Sequence, residues 1–409
     1  MSHAATHAEA QAQYDEFKKQ GLKLDMSRGK PSPEQLDLSN ALLGAMDGYK
    51  TGDGTDTRNY GGPVGLPEAR ALFGNLLDVP ASHVVVDGGA SLALMHDVIA
   101  FGMLYGMHDH PSWSSQAPIS FLCPVPGYDR HFSICEALGI RMINVPMSEH
   151  GPDMDFVEQQ VASDASIKGM WCVPKYSNPG GSVYDDKTVA RLAAMPTAAP
   201  DFRLLWDDAY RFHHLSEDKV SVPNILDACA KAGHVDRAFV FASTSKITFA
   251  GSGLAALASS SANVHWWQSH VSVRSIGPDK VNQLRHVRYL KDKAHVEQLM
   301  EAHRQLLKPK FDAVHAQFQQ YLGDVEGVSW THPKGGYFID LLTPPGTAKR
   351  TVALAREAGI ILTGAGAAFP YGKDPNDSNI RIAPSFPSLA EITEAAKGIA
   401  LSLRLALAS

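Results

Sequence analysis

Cysteine is scarce and scattered: Cys123, Cys135, Cys172 and Cys229 are the only four in 409 residues. None forms a Cys-x-x-Cys pair or a mixed Cys/His cluster, which excludes a zinc knuckle and a redox dithiol. The expectation is reduced packing cysteines in a cytoplasmic protein. Blocks of one charge are also missing. The 37 basic and 43 acidic residues are dispersed and leave a net charge of −6, so no basic face for nucleic acid is expected. No apolar run approaches the ~20 residues of a membrane helix. Met1-Ser-His-Ala-Ala-Thr-His7 has neither a charged n-region nor an apolar core, so no secretory signal is expected. There is no internal repeat and no low-complexity tract. The 18 histidines are spread out, and their tightest groups, His213-His214 and His108-Asp-His110, read as loop residues more than ligands.

What is present is ordinary globular composition, 44% hydrophobic and 20% charged, at a length that favours two or three domains. One stretch organises the chain. Phe239-Val-Phe-Ala is apolar and strand-like, then turns polar through Ser243, Thr244 and Ser245 into Lys246, and leaves through Gly251-Ser-Gly253. A lysine at a strand end beside apolar residues loses hydration, which disfavours its ammonium form. A neutral amine attacks carbonyls, so Lys246 is a Schiff-base candidate.

The N-terminal segment reads as an amphipathic helix over roughly Ala5 to Lys19, then an extended piece from Leu22 to Met26. Ser27-Arg-Gly-Lys-Pro31 breaks it, with Gly29 permitting close approach of backbone to a ligand. Thr51 to Gly65 is a long loop carrying Tyr60, before a helix from Pro67 to Leu77. From His83 onward strands alternate with helices. The strands are His83–Asp87, Ile119–Cys123, Arg141–Val145, Met170–Pro174, Phe202–Trp206 and the run before Lys246. This alternation predicts an α/β fold, a mostly parallel sheet with helices on both faces. Ligands of such sheets sit at the carboxyl ends of the strands. The polar groups just after the strands are Ser91, Tyr128, Asn178, Asp207 with Tyr210, and Ser243 with Lys246, and a parallel sheet brings them all to one edge. Val281 to Leu322 reads as long helix with a kink or break at Pro309. Beyond it, strand-like pieces at Gly336–Asp340, Ile360–Gly366 and Asn379–Pro384, and a capping box at Ser388–Glu391, predict a smaller α/β domain. The expected division is a segment 1–50 packing with the small domain, a large domain 51–285 and a small domain 286–409.

An amine, a carboxylate, an amide, a phenol, an aromatic face and a phosphate cradle together suit pyridoxal 5′-phosphate. The cradle is Gly88-Gly-Ala-Ser91, a glycine turn at a helix start. The sequence resembles the fold type I pyridoxal-phosphate enzymes of the aspartate aminotransferase superfamily from Gly29 to Arg381. It is most similar to a bacterial subgroup of aspartate aminotransferases bearing Thr-Ser-Lys-Ile-Thr-Phe-Ala-Gly, here Thr244–Gly251. The resemblance implies that Lys246 is the Schiff-base lysine and that Ser243 is a phosphate-binding hydroxyl. Asp207, in Asp-x-Ala-Tyr, is implied to pair with the pyridine nitrogen, and Tyr210 and Asn178 to bind the ring oxygen. Tyr128 is implied to stack on the ring, and Gly89-Ala90-Ser91 to hold the phosphate. Tyr60 is implied to reach the phosphate of a neighbouring subunit in a homodimer. Arg381 is implied to grip the substrate α-carboxylate, beside Gly29 and Asn178.

The chain departs from the family pattern at one place. Most members carry a phosphate-binding arginine seven or eight residues after the lysine, where this chain has Gly253 and Leu254. The implied reaction is ping-pong transfer of an amino group between an L-amino acid, aspartate or glutamate, and a 2-oxo acid. Arg28, Arg58 and Arg274 are candidates for a distal carboxylate. A lyase or decarboxylase on the same cofactor stays open, as does a ligand-sensing domain without turnover. No DNA-reading module is expected in the short segment before Ser27.

Overall fold

The computed structural model describes residues 6–408. Its strands are, in chain order, β1 (Leu24–Asp25), β2 (Val84–Val86), β3 (Ser120–Val125), β4 (Arg141–Ser148), β5 (Gly151–Pro152), β6 (Ile167–Cys172), β7 (Arg203–Asp207), β8 (Ala238–Ser243), β9 (Ala255–Ala258), β10 (Ser329–Trp330), β11 (Ile339–Leu342), β12 (Ile360–Ile361) and β13 (Asn379–Ile382). Eight of them form one sheet in the order β2-β9-β8-β7-β6-β3-β4-β5. β8, β7, β6, β3 and β4 run parallel to one another. β9 is antiparallel to both β8 and β2, so β2 points the same way as the parallel set. The expected mostly parallel sheet is therefore present, and the segments after β2, β3, β6, β7 and β8 all leave at one edge.

The strands are apolar on both faces because both faces are covered. Alternate side chains enter different cores. Val84, Val86, Leu204, Trp206 and Val240 pack into one, while Val85, Leu205, Phe239, Phe241 and Trp171 pack into the other. A third core lies in the small sheet and its helices, where Ile339, Leu341, Ile380 and Ile382 meet Phe311, Val314 and Ile399. The N-terminal helix His7–Lys18 joins this third core through Tyr14 and Phe17. It packs against the last helix, Leu389–Leu407, at Gly398, where a Cβ would lie 2.4 Å from Phe17. The Ala5 end of that helix expectation lies outside the described residues. β1 pairs with β12, which stitches the N-terminal segment to the C-terminal third.

One expectation is corrected. The long helix does not break at Pro309, which lies inside a continuous helix Lys293–Leu322. The break comes earlier, after Lys280–Leu290, where Lys291 has φ +58° and Asp292 caps the next helix by accepting the His295 N–H. A side-chain cap ends and restarts the helix there. At Pro309 only one backbone donor is lost, and buried Leu307 and Phe311 on either side hold the helix together. The helices Met154–Ser163, Ile225–Lys231 and Ser261–Arg274 were not anticipated from the sequence. Among the described residues no helix is long and apolar enough to cross a membrane, and no His/Cys/Asp/Glu cluster suits a metal.

Candidate active site

A cavity of about 500 Å³ opens at the carboxyl ends of the parallel strands. Ser91, Tyr128, Asn178, Asp207, Tyr210 and Lys246 line it from the large sheet; Gly29 and Arg381 line it from the other side. Each side chain follows from local structure. Asp207 is the last residue of β7, and Lys246 follows β8 by three residues. Ser91 is the first residue of the helix Ser91–Tyr105, and Tyr128 caps the helix Asp129–Ala137. Arg381 is on β13, directly across from Asp340 on β11.

Lys246 is half-buried at the cavity wall, and loss of hydration pushes its pKa down, with the charge of Asp207 only partly opposing. Its Nζ lies 5.2 Å from the Tyr210 ring centroid and 6.0 Å from that of Tyr337. The three residues Lys246, Ile247 and Thr248 are each gripped by a histidine. His213 Nε2 is 3.3 Å from the Lys246 carbonyl, His303 Nε2 is 3.0 Å from the Ile247 carbonyl, and His286 Nε2 is 3.1 Å from the Thr248 hydroxyl. Burial lowers the pKa of all three, to about 4 for His286 and His303. They are therefore neutral at physiological pH. For His303 the tautomer follows from its partners. Gln35 Nε2 donates to Nδ1, so Nε2 carries the hydrogen and donates to the carbonyl.

Asp207 Oδ2 lies 3.0 Å from His131 Nε2, whereas its Oδ1 is buried without a partner. The His131 ring stacks on Trp171 at 4.1 Å and 2° and meets Tyr128 edge-on. An orphaned carboxylate oxygen in such a site calls for a missing donor. Burial, with Asp207 and Asp129 nearby, raises the Tyr128 phenol to about 12; burial raises that of Tyr210 as well. Both phenols keep their protons and can donate.

Arg381 faces these groups. Its Nη1 donates to Asp129 Oδ1 at 2.8 Å and reaches Asn178 Oδ1 at 3.5 Å; its Nη2 donates to Thr363 Oγ1 at 3.3 Å. Its Nε is buried without a partner. Phe338 lies beneath the guanidinium at 5.2 Å. A Cβ on Gly29 would come within 2.5 Å of the Phe338 ring, so only glycine fits there without moving that support. Behind Arg381, Asp340 accepts from Asn379 Nδ2 at 2.6 Å, and burial pushes its carboxyl up to about 7.

The glycine turn is close by. Ser245 Oγ donates to the Gly89 carbonyl, and a Cβ on Gly89 would be 3.3 Å from the Gly253 carbonyl oxygen. Gly89, Ala90 and Ser243 do not themselves line the cavity. The missing arginine has a steric reason. A Cβ on Gly253 would lie 3.1 Å from Phe249 O, Ser245 N and Thr244 Oγ1, and Leu254 points into the core. Asn282 Nδ2 binds the Ser252 and Gly253 carbonyls, and Arg285 Nη2 donates to Asn282 Oδ1. Arg285 lines an adjoining cavity of about 330 Å³ with Gly89 and Gly253, and its Nε is unpartnered.

Of the three arginines singled out for a distal carboxylate, only Arg28 lines the main cavity. Arg58 pairs with Asp56 and stacks on Tyr49; Arg274 pairs with Asp87 and Asp97. Lys30 and Arg130 also line the cavity and were not foreseen. Nor were His131, His213, His286, His303 and Asp129. His131 had a signal, since it follows Tyr128 by three residues and so shares its side of the helix start. Tyr60 is 83% exposed and outside the cavity.

The poorly hydrated amine, the orphaned carboxylate oxygen, the two phenols and the fork of Arg381 fit pyridoxal 5′-phosphate and an amino acid in one cavity. The fold and site are those of a fold type I pyridoxal-phosphate aminotransferase. The sequence pattern of the aspartate amino-transferase family matches residues 1–409, and the chain belongs to that family. It is 53% identical over 407 residues to a Mycolicibacterium smegmatis protein provisionally assigned as an aminotransferase, covering 98% of this chain and 95% of that one. It is 46% identical to the aspartate aminotransferase of Corynebacterium glutamicum, over 98% and 94% of the two chains. The crystal structure of an aspartate transaminase from Corynebacterium glutamicum superposes with a TM-score of 0.95 at 46% identity, covering 98% and 95%. The activity is thus amino-group transfer between an amino acid and a 2-oxo acid, with pyridoxal 5′-phosphate as cofactor. The lyase and sensor readings give way to it.

Proposed function

We propose that the preferred substrates are aspartate or glutamate with the matching 2-oxo acid, and that the cavity residues take the following roles. Lys246 would hold the cofactor covalently, and its released amine carries the proton to and from the substrate Cα as base and acid. Bound pyridoxal 5′-phosphate supplies an electron-withdrawing ring that stabilises negative charge at that carbon. Asp207 Oδ1, held by His131 on its other oxygen, accepts the ring N–H. Tyr210 and Asn178 bind the ring oxygen, and Tyr128 covers one ring face. Gly89, Ala90, Ser91 and Ser243 hold the phosphate, with Arg285 as the nearby cation. Arg381 exchanges Asp129 for the α-carboxylate, between Gly29 and Asn178. Arg28, Lys30 and Arg130 are the cations within reach of a second carboxylate. The observation that carries this reading is the pairing, in one cavity, of a half-buried, poorly hydrated amine without a close counter-ion and a buried carboxylate oxygen without a donor.

The partner that completes the site is a second copy of the chain. Tyr60 stands on a loop whose Gly61 carbonyl binds Lys280 Nζ at 2.7 Å. Beside it Val273 is 79% and Ile276 65% exposed, an apolar patch of the kind that association covers. All four cysteines are free and buried, in keeping with the cytoplasm. We take 51–285 and 286–409 as the large and small domains, with 1–50 packing with the latter. The visible spectrum of the holoenzyme tests the reaction: aspartate is expected to bleach the cofactor band and leave the amine form. A spectrum unmoved by both aspartate and glutamate overturns the substrate assignment.

A further inference from the structure

A second cavity, of about 460 Å³, lies at the opposite end of the large sheet, where β7 and β8 begin. Arg203, the first residue of β7, and Arg237, just before β8, form its floor; His108, His110, His234 and Asp236 stand around them. Arg203 is 4% exposed. Its Nη1 donates only to the carbonyl of its neighbour Phe202, and its Nε is buried with no partner. Among the described residues no carboxylate pairs with either arginine. The two acids nearest in charge effect are Asp201 and Asp236. Asp201 is spent on Lys168, Trp113 and Gln116, and Asp236 accepts from Ser260. Arg237 has a structural task, since its Nη1 donates to the Ala193 and Met195 carbonyls at the end of the helix Asp186–Ala194. Arg203 has none. A buried guanidinium with an idle donor is costly, and the fold keeps it where a cavity admits a ligand.

We propose that this cavity is a second binding site, remote from the reaction centre, for a small oxyanion bearing a phosphoryl or carboxylate group. The guanidinium fork of Arg203 supplies matched N–H donors, Arg237 adds charge, and His110 and His234 add donors in the lining, whereas the His108 Nε2–H is already given to Asn263 Oδ1. Asp109 and Asp236 also line the cavity and oppose an anion, so the site depends on the two guanidinium groups outweighing them. The proposal does not depend on the roles given to Lys246 or Arg381.

The test is calorimetric titration of the cofactor-loaded enzyme with inorganic phosphate and, separately, with citrate. Saturable binding of one anion per chain is expected, with the visible spectrum unchanged. Hydrogen exchange should slow at residues 106–110 and 232–238, not at 88–91 and 251–254. Arg203→Gln should weaken binding about tenfold or more. Should that variant fail to fold, Val235→Glu places a negative charge on an exposed lining residue and should weaken binding similarly. The anion bound more tightly, and weakened more by Val235→Glu, identifies the phosphoryl or the carboxylate source. Absence of saturable binding up to about 10 mM, protection confined to the glycine turn, or unchanged affinity in both variants means an adventitious ion only and overturns the site.

Discussion

The two walls of the catalytic cavity prepare their cations in opposite ways. On the large-sheet wall, Lys246 is poorly hydrated and given no close counter-ion, so its proton is more easily lost. On the small-sheet wall, Arg381 has a close carboxylate partner, Asp129, at 2.8 Å. In the proposed roles, one cation becomes a nucleophile and base, and the other exchanges one carboxylate for another. The supports differ to match. Lys246 rides on a backbone fixed by three neutral histidines, whereas Arg381 rests on Phe338 and sits across from Asp340, a carboxyl whose ionisation burial moves up to about 7.

The contrast breaks most completely at Lys246. Lys246→Ala is expected to lower turnover by about 10³-fold or more and to abolish the cofactor band of the bound enzyme. Lys246→Arg should do no better, because a guanidinium keeps its proton. Recovery of turnover in the arginine variant would mean that charge, not proton loss, is what position 246 supplies. Next comes Arg381→Lys, which keeps a cation but loses the fork. It should cut kcat/KM for amino donors by about 10²-fold, mostly through KM. A loss confined to kcat would move Arg381 from binding to chemistry.

Smaller effects follow from the supports. The folded-state pKa values of His286 and His303, about 4, lie below the ordinary 6.5. The unfolded chain therefore binds more protons between these values, and stability falls as pH drops through that window. The melting temperature should be flat with respect to these groups above about pH 7 and decline from about 6.5 to 4. His303→Gln should shallow that decline. An unchanged slope in this variant would place the sensitivity elsewhere. Asp340 has the opposite sign: its carboxyl is pushed up to about 7, so the stability of its protonated form is present at low pH and lost as pH rises toward 7. Asp340→Asn should remove an ionisation near pH 7 from the profile of KM for the amino donor.

The sheet and the convergence of groups on one cavity were legible because parallel strands convert sequence order into spatial proximity. Ser91, Tyr128, Asn178, Asp207, Tyr210 and Lys246 fall at or after strand ends that share one edge. The supports were not legible. His213 read as a loop residue because its partner, the Lys246 carbonyl, is a backbone atom 33 residues away. His286 and His303 lie on long helices whose faces touch the lysine loop only once the large core has formed. The helix break at Lys291 was read as Pro309, since a side-chain cap with an adjacent positive φ is quieter in sequence than a proline. Arg203 looked like one more residue of a strand, and its missing counter-ion is visible only in three dimensions.

The finest test of the two-wall contrast is Asp129. If it is a placeholder for the substrate α-carboxylate, removing its charge leaves Arg381 cationic and better able to bind one. Asp129 is itself partly exposed, and its pairing is screened by solvent, so the gain is modest. Asp129→Asn should lower KM for aspartate by about two- to fivefold and tighten binding of a non-reactive dicarboxylate by the same factor. The kcat should change less than KM, because the hydrogen bond of Asp129 within the cavity goes to Arg381 and not to Lys246. A raised KM would instead mean that Asp129 orients the guanidinium for the substrate, and both walls would then be built on permanent supports.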